Sequence, residues 1–283
     1  MPGKQIQSVE RRSVPWKPET GGGTDLEAAW DKAAEGAIRR PYLDPEMAAL
    51  KRRVHLELLA RWLPDLRGKR ILKTDLWEEG VTGDELLFTL ARPAREVRGV
   101  DVSRRVVEGA EQAASEAGVD ANLLRADVRA LPHEEGAFDA VISTSTIDHL
   151  EIGARPRALA ELRRVLTPGG VLVLTADNSS NLTDPLLRLA ARLRAIPFPL
   201  ARGESLDGLR ALVAEAGLAH TDHDLIVHGP RVLTTLLVRA ARVLPGRAGD
   251  RAVQEFLRGL ERAGRRWPER TAAFVAIRAV KEG

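Results

Sequence analysis

The 283-residue chain contains no cysteine, a single tyrosine and no long apolar run. Without cysteine it can form no disulfide and offers no thiolate as metal ligand or nucleophile. Because no stretch approaches the roughly 18 consecutive apolar residues of a transmembrane helix, we predict no membrane span. Residues 1–23 are polar, lack the apolar core of a secretory signal and end in three glycines. We therefore predict a flexible tail over 1–23 and a cytoplasmic protein.

Aromatic residues and net charge are also scarce. Aromatics make up 4% of the chain and the formal net charge is +3, with arginines scattered among acids. A single-stranded nucleic-acid binder needs a basic surface interleaved with aromatics, which this sequence does not provide. We therefore predict a small-molecule substrate and no nucleic-acid partner, and we leave the oligomeric state open. The apolar stripe of residues 231–244 either faces the core or makes a peripheral contact with a membrane.

Glycine is scarce in the segment ILKTDLWEEG, residues 71–80, where a nucleotide-binding fold would have its glycine-rich loop, and Gly80 is its one glycine. Asp75, Glu78 and Glu79 place negative charge there instead. Like charges about 4 Å apart repel by about 4 kcal/mol at an effective dielectric constant near 20, so a pyrophosphate is disfavoured. The segment argues against NAD, FAD and ATP and is compatible with a cationic cofactor. Alternatively, these acids simply begin a solvated helix.

Strand and helix patterns alternate along the rest of the chain. Such alternation predicts βαβ units and a parallel sheet. The predicted strands are 70–75, 96–101, 122–127, 138–144, 171–177, 220–229 and 271–280, and 138–144 is apolar enough to be buried on both faces. The predicted helices include residues 83–91, one with Ser103 as N-cap and one with Ser205 as N-cap, and a turn is predicted over Thr167–Gly170. Residues 24–66 form two helices that precede the alternation, and we expect them to cap the domain of residues 67–283. A helical insertion at about 230–268, before the last strand, is expected to act as a lid.

Acidic and hydroxyl residues end the predicted parallel strands. Ligands of open parallel sheets bind beyond the carboxyl ends of the strands, so these residues are candidates for a ligand site. Asp101, at the end of the second strand, can accept both hydroxyls of a ribose. The same aspartate would also suit a helix that begins after Ser103.

Four segments resemble the class I S-adenosylmethionine-dependent methyltransferase superfamily, of the small-molecule type. They are GVDVS, RADVRALP, FDAVISTSTIDHL and RALAELRRVLTPGGVLVLT, and the similarity covers about residues 67–176. The resemblance implies an α/β, Rossmann-like, seven-stranded and mostly parallel sheet with an antiparallel edge, and S-adenosyl-L-methionine as cofactor. The first motif is atypical, because Lys73 stands where the family has an acid and KTDLWEEG replaces a Gly-x-Gly turn.

The strand ends and the resemblance together give the predicted site. We expect the cofactor to be bound by Asp75, Glu79, Gly80, Asp101, Val102, Asp127, Val128 and Ser143. The predicted catalytic residues are His149, as base or acceptor contact, and Asp148, which with Thr146 can orient it. Alternatively, His149 is an ordinary helix-start residue. Ser145 replaces the first acid of relatives that hold a metal here, so we expect no metal.

The histidines and aspartates of HTDHDLIVH, residues 220–228, are expected to form a polar edge strand rather than a metal site. Taken together, the sequence predicts O-methylation of a secondary metabolite with a quinone-like, glycosylated or lipidic character. The alternative is a methyltransferase-like scaffold that binds a metabolite or partner and catalyses nothing. The departures in the first motif, Lys73 and the missing glycines, favour this alternative.

Overall fold

The computed structural model describes residues 23–39, 45–83, 85–183, 185, 189, 202–228 and 247–283. Apart from Gly23, the predicted tail lies outside these residues, as does the apolar stripe of residues 231–244. No helix within the described ranges is long and apolar enough to cross a bilayer.

Seven strands form one sheet. They are β1 (Arg70–Lys73), β2 (Glu96–Asp101), β3 (Asn122–Arg125), β4 (Phe138–Thr144), β5 (Leu166–Asp177), β6 (Leu218–His228) and β7 (Ala272–Lys281). Their order is β3-β2-β1-β4-β5-β7-β6, and only the pairings of β7 with β5 and β6 are antiparallel. The predicted seven-stranded, mostly parallel sheet is therefore confirmed. The polar β6 lies at an edge of this sheet, as predicted.

Helices cover both faces of the sheet. They are α1 (Gly23–Arg39), α2 (Pro45–Trp62), α3 (Leu86–Ala91), α4 (Arg104–Glu116), α5 (Arg155–Val165), α6 (Leu206–Glu215), α7 (Arg247–Gly264) and the short α8 (Pro268–Thr271). Neighbouring strand residues point to opposite faces, so Ile71 joins the core under α2 and α4 while Leu72 joins the core under α5 and α6. The central strands are apolar on both sides because both sides are buried.

Several helix boundaries follow from local sequence. The Ser103 hydroxyl accepts a hydrogen bond from Val106 N, and that of Ser205 accepts one from Gly208 N, so both predicted N-caps are present. Helix α5 ends at Val165, just before the predicted Thr167–Gly170 turn. There the pairing of β4 with β5 shifts register, and Gly169 has a φ of 75°.

The segment after β1 differs from the prediction. A helix was expected to run over 83–91, but a π-helical turn occupies Glu78–Thr82 and α3 begins only at Leu86. The turn lies against α4 so closely that a Cβ on Gly80 would be 2.2 Å from the Val106 carbonyl oxygen. The residue at this position must therefore be glycine.

The helical insertion between β6 and β7 contains α7 and α8. Val253 and Leu257 of α7 are buried, and Glu261 accepts a hydrogen bond from His228 N at the end of β6. The described part of the insertion thus packs on the sheet. Its function as a lid stays a prediction.

Candidate functional site

The loops after β1 and β4 are joined at the carboxyl edge of the sheet. The Thr74 hydroxyl donates to Ser143 Oγ (2.9 Å), and the Thr146 hydroxyl donates to the Thr74 carbonyl oxygen (2.6 Å). Ser143 and Thr74 are buried. These bonds fix the two loops relative to each other, so the residues that follow have defined positions.

Asp101 ends β2 beside the turn that follows β1. Its Oδ2 accepts from Leu76 N (3.1 Å) and its Oδ1 accepts from Ser103 N (2.8 Å). Each oxygen keeps a second lone pair for a ligand hydroxyl. Burial raises the pKa of Asp101 to about 6, although the two backbone amides act in the opposite direction.

Asp75 lies at the same edge, between the loops after β1 and β4. Its Oδ1 accepts from Trp77 N (2.9 Å), and the Thr144 hydroxyl donates to its Oδ2 (3.3 Å). The side chain remains partly exposed. Burial, and then repulsion from Glu78, hold the pKa of Asp75 well above its usual range. A bound cation would relieve this repulsion.

Lys73 is completely buried beneath the acidic turn. Its Nζ lies 3.0 Å from Glu79 Oε2 and 3.6 Å from Glu78 Oε2, and it also donates to the Asp75 carbonyl oxygen. Lys51 of α2 lies 2.5 Å from Glu78 Oε1. Burial alone would lower the pKa of Lys73, but the surrounding carboxylates outweigh it and raise the pKa above its ordinary value.

The remaining predicted cofactor residues have identifiable contacts. The carboxylate of Asp127 is held by Arg129, whose Nε lies 2.9 Å from both oxygens. Val128 is buried and Val102 is half-buried. Gly80 faces α4, as described above. Contact of any of these residues with a cofactor stays a prediction.

Three aromatic rings meet over the loops after β1 and β4. The ring centroid of Trp30, from α1, lies 4.8 Å from that of His149 and 5.5 Å from that of Trp77, both in edge-to-face geometry. All three side chains are half-buried. Sequence reasoning identified His149 but missed the two tryptophans. For Trp30 the sequence did offer a signal, because it is the one aromatic residue in a helix of mostly small and charged residues.

Two polar atoms after β4 have no hydrogen-bond partner in the part of the chain that the structure describes. Asp148 Oδ2 accepts from Asp177 N (2.8 Å), whereas Asp148 Oδ1 and Ser145 Oγ are buried without a hydrogen-bond partner among the described residues. Ser145 has a φ of 49°, which is strained for a residue with a side chain. Burial raises the pKa of Asp148, an effect that His149 partly offsets. Unsatisfied polar atoms and backbone strain are typical of ligand sites.

The structure does not show the expected orientation of His149 by hydrogen bonds from its neighbours among the described residues. Within the described residues, neither Asp148 nor Thr146 makes a side-chain hydrogen bond to the imidazole, because the Asp148 carboxylate faces Asp177 N and the Thr146 hydroxyl faces Thr74. The catalytic roles of His149 and Asp148 therefore stay predictions.

A buried arginine supports the segment that carries these groups. Arg155, at the start of α5, donates to the carbonyl oxygens of Asp148 (3.0 Å) and Leu150 (3.2 Å). It also pairs with Glu204, which follows the connection from β5. Arg155 thus anchors the segment after β4 to the start of α5. His149, in the same segment, remains half-buried.

Comparison with known proteins supports the resemblance to methyltransferases that the sequence motifs indicated. Residues 81–170 match the family described as methyltransferase domain. A demethylmenaquinone methyltransferase of Thermus thermophilus is 40% identical over 94 residues, which cover 33% of this chain and 42% of that relative. The chain thus spans less than half the length of this relative.

Solved structures share the whole architecture. The magnesium protoporphyrin IX methyltransferase ChlM from Synechocystis PCC 6803, with bound SAH, superposes with a TM-score of 0.60 at 15% identity, covering 92% of this chain and 99% of that chain. The [4+2]-cyclase SpnF gives a TM-score of 0.58 at 18% identity, covering 94% and 98%. At these identities the likeness shows the fold.

The fold and the polar residues at the carboxyl edge of the sheet together define a Rossmann-like α/β domain with its candidate ligand site beyond the strand ends. The methyltransferase-domain match and this fold support a class I S-adenosylmethionine-dependent methyltransferase, as the motifs indicated. The cofactor of this superfamily is S-adenosyl-L-methionine.

Proposed function

We propose that this protein transfers a methyl group from S-adenosylmethionine to an oxygen atom of a small molecule. One observation carries the proposal. The carboxylates of Asp75 and Asp101 lie at adjoining strand ends, and His149 follows the neighbouring strand β4 on the side covered by Trp30. This juxtaposition offers groups for a cationic nucleoside cofactor next to a potential base.

The charges at this edge fit the proposed cofactor. Around the turn, four carboxylates (Asp75, Glu78, Glu79 and Asp101) accompany two ammonium groups, those of Lys73 and Lys51. S-adenosylmethionine brings a sulfonium, an ammonium and one carboxylate, so its net charge is positive and it has no phosphate. An excess of carboxylate attracts such a ligand and repels a pyrophosphate. In this proposal Asp101 accepts hydrogen bonds from the ribose hydroxyls, and Asp75 accepts one from the ammonium group.

The bound cofactor would supply an electrophilic methyl group. His149 would accept the proton of the acceptor hydroxyl, a role worth roughly 10²- to 10⁴-fold in rate. Trp30 and Trp77 would exclude water and restrain the acceptor. Alignment of acceptor and methyl group can contribute roughly 7 to 11 kcal/mol, so we assign much of the rate gain to the restraint by these two tryptophans.

The aromatic rings also indicate the character of the acceptor. Trp30 and His149 meet edge to face, and flat rings of this kind suit a planar, weakly polar molecule. A relative named for demethylmenaquinone agrees with a quinone-like or phenolic acceptor.

Calorimetric titration tests the cofactor assignment. The protein should bind S-adenosylmethionine and S-adenosylhomocysteine and should ignore NAD and ATP at the same concentrations. Asp101→Ala should weaken binding about 30-fold, or about 2 kcal/mol, because hydrogen bonds to a charged acceptor are lost. Asp120→Ala, at an exposed aspartate, is the matched control and should not change affinity. Unchanged affinity in a folded Asp101→Ala protein would contradict the proposal.

A non-catalytic scaffold is the second candidate. It is favoured by the atypical turn, in which buried Lys73 replaces an acid, and by the backbone amides that already occupy Asp101. Transfer of labelled methyl from S-adenosylmethionine to quinols and phenols separates the candidates. Turnover that depends on His149 supports the enzyme, whereas tight cofactor binding with no transfer to any acceptor class supports the scaffold.

A further inference from the structure

We propose that Lys73 is a positioning residue for cofactor binding, in that its buried ammonium fixes the acidic turn so that Asp75 faces the amino group of the cofactor. The inference rests on the proposed function. Lys73 is 0% exposed and so cannot touch a ligand itself. It acts through the residues it holds.

A single ammonium group joins the start of the turn to its π-helical part. Lys73 Nζ donates to the carbonyl oxygen of Asp75, where the turn begins, and to Glu79 Oε2 (3.0 Å), which lies in the π-helical part. Other folds shape a comparable loop with glycines, whose backbone freedom allows the tight bend. Here the buried charge of Lys73 adds a second restraint on the bend.

The turn is also attached to two helices. Glu79 Oε1 accepts from Leu87 N of α3 (2.8 Å), and Glu78 Oε1 lies 2.5 Å from Lys51 Nζ of α2. Lys73 therefore sits where β1, the turn, α2 and α3 converge. Loss of its charge would leave Glu79 buried without a cation, which is strongly unfavourable.

This arrangement directs Asp75 toward the ligand. The carbonyl oxygen of Asp75 accepts a hydrogen bond from the buried Lys73. The Asp75 carboxylate, at the carboxyl edge of the sheet, accepts hydrogen bonds from Trp77 N and the Thr144 hydroxyl. Lys73 and Lys51 offset the charges of Glu78 and Glu79. The partly exposed Asp75 carboxylate is then the acid of this turn that remains for a cationic group.

A set of variants separates positioning from simple stabilisation. Lys73→Met and Glu79→Gln each remove one partner of the buried pair, and the double variant removes both. The double variant should regain part of the stability lost in Lys73→Met, because no buried charge remains unpaired. Arg70→Met, which removes an ion pair with Asp139 at the other end of β1, is the matched control.

The decisive measurement is affinity for S-adenosylhomocysteine, by calorimetry at a temperature where circular dichroism shows each variant folded. Lys73→Met and the double variant should bind at least tenfold more weakly than the wild type. Arg70→Met leaves Lys73 and the turn intact and should stay within threefold. Lys73 also lowers the pKa of Asp101, so its loss should move the pH midpoint of binding upward.

Two results would overturn the inference. Wild-type affinity in the double variant would make Lys73 purely structural. So would affinity losses that follow the loss of stability across the variants, with Arg70→Met weakened in proportion to its own loss of stability. Failure of the wild type itself to bind S-adenosylhomocysteine would instead refute the proposed function, so the two failures are distinguishable.

Discussion

The affinity for S-adenosylhomocysteine should depend on pH through Asp101. Burial raises the pKa of this carboxyl to about 6. Ribose hydroxyls donate hydrogen bonds, so the ionised carboxylate is the form that binds them. Protonation removes that acceptor. Affinity should therefore be high above pH 6 and should fall as the pH drops through it.

The size of the effect follows from the pKa. A carboxyl with a pKa of about 6 is about 90% ionised at pH 7 and about 10% ionised at pH 5. If only the ionised form binds, affinity falls about tenfold between these values, or about 1.4 kcal/mol. With an ordinary aspartate pKa near 3.9 the change over this range would be below about 10%.

The assay is calorimetric titration with S-adenosylhomocysteine from pH 5 to pH 8 at constant ionic strength. Asp101→Asn should bind weakly at every pH and show a flat profile. The charged groups around Asp101 include Lys73, which lowers its pKa, Glu78, which raises it, and Asp75, whose own pKa Asp101 raises. A flat wild-type profile, or a slope that persists in Asp101→Asn, would refute the assignment to this carboxyl.

Three further predictions concern other residues. His149→Ala should lower kcat at least about 100-fold and leave cofactor affinity within about threefold, and full turnover at every pH would make His149 an ordinary helix-start residue. His133 has both ring nitrogens buried without a described partner, and burial lowers its pKa to about 4. The unfolded chain takes up a proton below pH 6.5 and the folded protein does not, so stability should fall by about 2 kcal/mol from pH 7 to pH 5 on account of this group. Urea unfolding of His133→Leu should show a smaller loss, and an unchanged pH dependence would contradict this. Gly80→Ala should destabilise the protein by about 1 to 3 kcal/mol, since the new Cβ meets the Val106 carbonyl, and an unaltered urea midpoint would count against that close contact.

Much of the fold was predictable because its signals are local. The apolar run of β4 indicated a strand buried on both faces, and Ser103 and Ser205 marked helix starts that the structure confirms. A cap or an apolar period needs only a few neighbouring residues, and these keep their meaning in any fold. The start of α3 was predicted wrongly, because the π-helical turn before it depends on contact with α4.

The candidate site was predictable in part. Strand ends gave Asp75 and Asp101, since the carboxyl ends of parallel strands meet at one edge. The sequence did not indicate that Arg129 holds the Asp127 carboxylate or that Asp148 turns to Asp177 N. The partners of a polar side chain depend on where the backbone places them, which spacing along the chain does not specify.

The sequence by itself determined the alternation of strands and helices, the resemblance to methyltransferases and the acidic character of the turn after β1, because composition and short-range pattern carry all three. Tertiary structure alone decided what that turn is. It brought Lys51 and Lys73 to Glu78 and Glu79, so that acids expected to face solvent or ligand are largely buried and paired. It also set Trp30 against His149, a contact between α1 and the loop after β4. Both depend on contacts between distant segments, which form only when the sheet and its helices are packed together.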